Sequence, residues 1–147
     1  MTANTLLLII ISFVVLEFIF GKVLDFLNSK SWNNPLPRLV EDLYDKDKYS
    51  KAKNYAKDNG NIALLSSVIS LATILSILIF NGFGSLDSWI NGLTANNILQ
   101  SLLFFGMLSL GSFILNLPFS LYKTFVIEEK YGFNQTTLKT YILDFFK

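Results

Sequence analysis

Two stretches of this chain, about Ile62 to Phe80 and about Asn97 to Leu117, contain no charged residue, and a third, about Thr5 to Leu27, is uncharged until Glu17. Crossing about 30 Å of hydrocarbon takes roughly 20 mostly apolar residues in a helix, and each stretch is of that order. A backbone in lipid must satisfy its own hydrogen bonds, which a helix does without help from other segments. The expected fold class is therefore all-α, an integral-membrane helical bundle with transmembrane helices over about 5–27, 62–80 and 97–117. Composition agrees: 52% of residues are hydrophobic, fourteen are phenylalanine, and the mean hydropathy is +0.46, high for a soluble domain. Met1-Thr2-Ala3-Asn4 carries no basic side chain and no small-x-small pattern follows the first apolar run. That run reads as a retained anchor, not a cleaved signal.

Charge is segregated around these spans. The loop 28–60 holds Lys30, Arg38, Lys46, Lys48, Lys51, Lys53 and Lys57; the second connection, Asn81 to Asn96, holds no lysine or arginine; Lys123, Lys130, Lys139 and Lys147 follow the third span. Basic residues near spans mark the cytoplasmic side. The expected orientation has the N-terminus outside, loop 28–60 cytoplasmic and the C-terminal segment inside. A net charge of +1 supplies no global field for nucleic acid. Beside a membrane span, the lysines interleaved with Tyr44, Tyr49 and Tyr55 read as a headgroup-contacting or solvated face. The lipid bilayer is the expected partner, and nucleic acid is not.

Within the loop, Ser31 to Pro37 reads as extended or turn because residues before proline leave the α region. From about Asp45 to Lys57 the pattern becomes a charged cytoplasmic helix, capped by Asp45 and supported by an Asp47–Lys51 pair. The connection 81–96 is rich in Gly, Ser and Asn, with Trp89 suited to the interface. A helix from Asn97 to Glu129 would be about 50 Å long, so its end emerges into water, with a bend expected near Pro118. Thr136 to Phe146 is helical in pattern and reaches Lys147 without a capping signal. It reads as the start of a further helix, and the chain as truncated.

Several polar residues invite a chemical reading. Glu17 falls about 18 Å into the first helix, where a carboxylate is costly unless protonated, paired or wetted. With Phe13, Gly21 and Asp25 it forms one stripe, which either lines an aqueous chamber or hydrogen-bonds a neighbouring helix. Asn116, just before Pro118, either serves backbone groups freed by the proline or faces a cavity. Small and hydroxyl residues at Ala63, Ser66, Ser70 and Thr73 read as helix packing. Glu128 and Glu129 are paired carboxylates, but neighbours on a helix point about 100° apart and do not converge on one atom. The expected roles are structural: the acids and Lys130 pair with another segment, Gly132 permits a tight bend, and Asn134 starts the next helix. The chain has no histidine and no cysteine, so zinc of the usual nitrogen or sulfur type has no ligands here. No catalytic and no metal residue is assigned.

Two tracts resemble a known family. Tyr44-Asp45-Lys46-Asp47-Lys48-Tyr49, followed by Lys51, Asn54 and Tyr55, is similar to the first cytoplasmic loop of type I CAAX prenyl endopeptidases. Leu117-Pro118-Phe119-Ser120, then Thr124 to Asn134 with Thr136-Thr137, resembles that family's exit from the third span nearly residue by residue. Pro118, Glu128, Glu129, Lys130, Gly132, Phe133 and Asn134 are the motif residues, in a segment 118–137. The resemblance implies an N-terminal membrane domain over 1–147, a non-catalytic scaffold and chamber wall of a zinc metalloendopeptidase. Catalytic portion, zinc, and a membrane-associated or prenylated-type peptide substrate would belong to the full-length protein. It also implies that Glu128 to Asn134 lie against the catalytic portion. Usage of Asn, Lys and Ile looks bacterial, so the implied location is a bacterial inner membrane. The alternatives from other classes are a stand-alone membrane assembly or regulatory subunit, and a small transporter subunit suggested by Glu17.

Overall fold

The computed structural model describes residues 2–31 and 45–145; the expected turn over Ser31 to Pro37 falls largely outside them. All regular structure among the described residues is helical: α1 (Ala3–Ser31), α2 (Lys46–Ile79), α3 (Gly82–Leu93), α4 (Asn97–Tyr122), a π-helical stretch (Lys123–Glu128) and α5 (Leu138–Phe145). Helices α1 and α2, and α4 with its π-helical continuation, are each long and apolar enough to cross a membrane. The protein is an integral membrane protein with the lipid bilayer as its solvent. Only Ile90, Ile127 and Tyr131 are buried hydrophobic residues among those described.

Helices α1 and α2 run past the expected spans, while α4 with its π-helical continuation ends at Glu128, close to the expected Glu129. Helix α1 continues past Leu27 to Ser31, and the charged helix beginning near Asp45 runs without interruption through Gly60 into the second apolar run. Helix propagation adds one hydrogen bond per residue fixed, and one glycine costs only about 1 kcal/mol against that. Asp45 does cap the start: its Oδ1 accepts the amides of Asp47 at 2.9 Å and Lys48 at 3.4 Å. The connection 81–96 contains a twelve-residue helix, α3, that propensity had hidden. Asn81 begins it at φ 54°, a left-handed conformation that asparagine tolerates better than most residues.

The described residues form two compact units, 2–31 with 65–116 and 45–64 with 117–145. In the first, Phe83 of α3 meets Phe104 of α4 with ring centres 6.4 Å apart, and Ile90 is 1% exposed. Lys22 and Asp25 pair at 2.8 Å near the end of α1. Hydroxyls in the apolar helices mostly serve their own helix: Ser12, Thr73, Ser76 and Ser101 each donate to the carbonyl four residues back. An interhelical link is Ser66 Oγ to Asn116 Oδ1 at 3.5 Å. In the second unit, Pro118 lies inside α4, which widens into the π-helical stretch five residues later. Ser120 Oγ and the Tyr141 hydroxyl hydrogen-bond at 2.7 Å, and the Phe125 and Tyr141 rings meet edge-on, tying α5 to α4.

Candidate functional site

The segment that follows the π-helical stretch is a helix stop built residue by residue from the motif Glu128 to Asn134. Gly132 sits at φ 69°, a backbone position where a side chain would be strained. Its amide donates to the Glu129 carbonyl at 3.0 Å, and the Phe133 amide donates to the Glu128 carbonyl at 2.8 Å. These are the two bonds of a Schellman cap, which satisfy carbonyls that the ending helix leaves without partners. The Asn134 amide adds a third bond, also to Glu128, at 3.2 Å.

Asn134 was expected to start the next helix; it does not. Its Oδ1 accepts the Thr136 amide at 2.8 Å, and its Nδ2 donates to Glu129 Oε2 at 3.1 Å. Asparagine side chains favour such turns over helix interiors. The cap of α5 is Thr137, whose Oγ1 accepts the Thr140 amide at 3.2 Å.

The stop is fastened to the charged part of α2. Lys130 Nζ donates to Asp58 Oδ2 at 2.7 Å, and the Tyr131 hydroxyl donates to the same oxygen at 2.9 Å. Tyr55 receives two rings edge-on, Tyr131 at 5.4 Å and Phe133 at 5.0 Å between centres. The Lys51 ammonium lies 5.3 Å from the centre of the Phe133 ring. Tyr131 is buried, as is Ile127, one turn before it. The sequence reading does not single out Asp58, and it names Tyr55 only within the loop tract. The signal was present: Lys51, Tyr55 and Asp58 are four and three residues apart, hence on one helix face.

Asp58 and its partners lie outside the uncharged runs, and their ionisation follows from this geometry. The bond from Lys130, then that from Tyr131, holds the Asp58 carboxyl below its ordinary value of 3.8. The Asp58 bond raises Lys130 above 10.5, and burial followed by that of Asp58 raises the Tyr131 hydroxyl above 10.0. Asp58 therefore contributes fully above 3.8 and its contribution is lost as pH falls through the lower folded value. Lys130 contributes fully below 10.5 and is lost as pH rises through its higher folded value. The expected tyrosine near-UV dichroism of this fastening is constant between about pH 4 and pH 10 and falls on either side. Asp58→Asn should abolish the acid-side change; an identical acid transition in that variant would contradict the assignment.

The other candidates are placed differently. Glu17 is exposed midway along α1. Asn116 lines a shallow groove on α4 with Phe105, Ser109 and Ser112, and its Nδ2 donates to the Ser112 carbonyl at 2.8 Å. That carbonyl is not the one Pro118 deprives of a donor, which belongs to Ile114. The Glu128 and Glu129 groups do not form a carboxylate pair facing one point: the Glu129 side chain is engaged by Asn134. Among the described residues no cluster of three or more His, Cys, Asp or Glu is arranged to hold a metal. What the site does chemically is hold two chain segments in register.

Comparison with known proteins gives this arrangement a family. A family model described as CAAX prenyl protease N-terminal, five membrane helices, matches residues 25–147. The probable CAAX prenyl protease 1 of Schizosaccharomyces pombe is 36% identical over 124 residues, 76% of this chain and 26% of that protein. The CAAX prenyl protease 1 of Saccharomyces cerevisiae is 31% identical over 151 residues, 95% of this chain and 33% of its own. The crystal structure of S. mikatae Ste24p matches with a TM-score of 0.85 and 31% identity, over 95% of this chain and 34% of that one. The chain thus spans about a third or less of the length of these relatives. From its apolar helices to its fastened helix stop, this chain belongs to the CAAX prenyl protease N-terminal family.

Proposed function

We propose that the chain is the non-catalytic membrane scaffold of a zinc metalloendopeptidase of the CAAX prenyl protease type. It would form part of a chamber wall, and its segment Glu128 to Asn134 would seat the catalytic portion. The observation that carries this reading is the fastening of Lys130 and Tyr131 to Asp58. It fixes the direction in which the chain leaves the third apolar helix, as a scaffold must. The absence of histidine and cysteine puts the zinc ligands elsewhere in the full-length protein. No step of peptide hydrolysis is assigned to residues of this chain. The substrate, a membrane-associated or prenylated-type peptide, would meet only the complete protein.

The orientation proposed has the N-terminus outside and loop 28–60 in the cytoplasm, on the lysine distribution. The membrane proposed is a bacterial inner membrane, on Asn, Lys and Ile usage alone. Glu17 and Asn116 are proposed to face the chamber, a reading supported for Asn116 by the shallow groove it shares with Ser109, Ser112 and the apolar Phe105, Leu108 and Phe113.

The test is functional complementation of a divided enzyme. The S. cerevisiae protease lacking the region that this chain matches is co-expressed with the chain, and zinc-dependent cleavage of a prenylated CAAX peptide is measured. Cleavage is expected from the pair and from neither part alone. Hydrolysis by the purified 147-residue chain with zinc would overturn the non-catalytic assignment. Failure of the pair to assemble, with the chain binding other membrane proteins instead, would favour the stand-alone assembly subunit.

A further inference from the structure

The charged part of α2 has two faces, and only one is used by the fastening. Lys51, Tyr55 and Asp58 face the helix stop. Lys46, Lys53 and Lys57, seven and four residues apart, fall within an arc of about 40° that lies about 150° round the helix from that face. No acidic residue of α2 lies on this stripe: Asp47 is about 100° away, and Asp58 is turned toward Lys130. Lys57 is exposed and Lys53 half-exposed.

The level of these lysines relative to the lipid follows from helix rise. Lys57 precedes the first residue of the uncharged run, Ile62, by about 7.5 Å, and Lys53 by about 13 Å. At the end of α4, Lys123 follows Leu117 by about 9 Å and is exposed, next to an exposed Tyr122. The headgroup layer is roughly 5–8 Å thick on each side of the hydrocarbon. Lysine stems extend along apolar surface and carry the ammonium to polar groups, and tyrosine belongs at the same level. Lys57 and Lys123 therefore reach lipid phosphates, and Lys53 stands within a Debye length of about 8–10 Å of them.

We infer that Lys53, Lys57 and Lys123 form a collar that recruits anionic phospholipid headgroups to the membrane face bearing residues 45–60. The charge complementarity selects the occupant: a monoanionic phosphate diester at the depth of the lysines, without sequence or peptide features. The inference rests on the membrane orientation proposed above only in assigning the collar to the cytoplasmic leaflet. Held lipids would also fix the vertical position of the fastened helix stop, whose partner helix carries two of the three lysines.

The experiment uses the chain in nanodiscs of equal phosphatidylcholine and phosphatidylglycerol, with trace spin-labelled lipid of either headgroup. Spin-label spectra report the motionally restricted fraction of each. A several-fold preference for phosphatidylglycerol is expected, falling steeply in high salt. The variant Lys53→Gln/Lys57→Gln/Lys123→Gln should lose most of it, bringing the preference to within about twofold of none. The matching Lys→Arg variant should keep it, as should Lys48→Gln/Lys139→Gln, which removes charge elsewhere. Equal restriction of the two lipids by the unmodified chain would overturn the inference. So would a preference unchanged in the triple glutamine variant, or one lost equally in the Lys48 and Lys139 control. Both leaflets are open in a nanodisc, so a wrong orientation leaves this readout intact. Labelling of Ser50→Cys and Asp87→Cys in sealed vesicles tests the orientation separately.

Discussion

Ile127→Ala should destabilise the second unit by about 2–5 kcal/mol, the range for truncating a fully buried isoleucine. Ile127 is 3% exposed, while its neighbour Val126 is 45% exposed. Both residues lie in the π-helical stretch and both are aliphatic, so the pair isolates burial from local helix propensity. Val126→Ala should change stability by less than about 0.5 kcal/mol. Denaturant unfolding in micelles gives the first comparison. Hydrogen exchange gives a sharper one, because the Phe133 and Asn134 amides both bond the Glu128 carbonyl, immediately after Ile127. Their protection should fall in Ile127→Ala and persist in Val126→Ala. Equal effects of the two substitutions would mean that the helix stop is held by its ion pair and rings alone.

That prediction concerns a feature no sequence pattern announces. The shift from α to π geometry at Lys123–Glu128 leaves residue types unchanged; it alters which of them face inward. The motif Glu128 to Asn134 was legible as a tight, structural knot because Gly132 and Asn134 have backbone preferences of their own. Its fastening to Asp58 was not. Asp58 is 72 residues from Lys130, and many lysines and aspartates in the loop could have paired with equal plausibility on charge alone. The spacing of Lys51, Tyr55 and Asp58 marks a face, but only the fold says what that face meets.

The membrane helices were read easily for the opposite reason. An uncharged run of the length of 62–80 has few alternatives in any solvent, so periodicity need not be consulted. The extension of the third helix to Glu128 follows the expected emergence into water, but the join of the charged helix to the second span is not announced, because a helix leaving lipid meets no physical stop at the interface. Lys and Ala between 46 and 57 continue it as readily as Leu and Ile do within. Asn59, Gly60 and Asn61 look like a break, yet α2 passes through them. The family resemblance was carried by the motif segments, where backbone geometry restricts residue choice most.

Ile90→Ala should cost the first unit a comparable amount, about 2–5 kcal/mol. Ile90 is the most buried large side chain described, at 1% exposure, and belongs to α3, in a connection whose Gly, Ser and Asn content argues against a helix. Glycine and the short polar residues lower helix propensity by up to about 1 kcal/mol each. A twelve-residue helix of this composition therefore depends on tertiary packing. Phe83, Leu86 and Ile90 recur at three- and four-residue intervals and supply the face for it, while Leu93, one step further on, is 57% exposed. Removing the buried centre of that face should unfold α3 before it affects α4. Ile98, at the start of α4, is 82% exposed and provides the matched control. Trp89 sits beside Ile90, so its fluorescence should report local melting of α3 at lower temperature in Ile90→Ala, with Ile98→Ala unchanged. Should Trp89 report the same transition in both variants, α3 would owe its helicity to the lipid interface and not to Ile90.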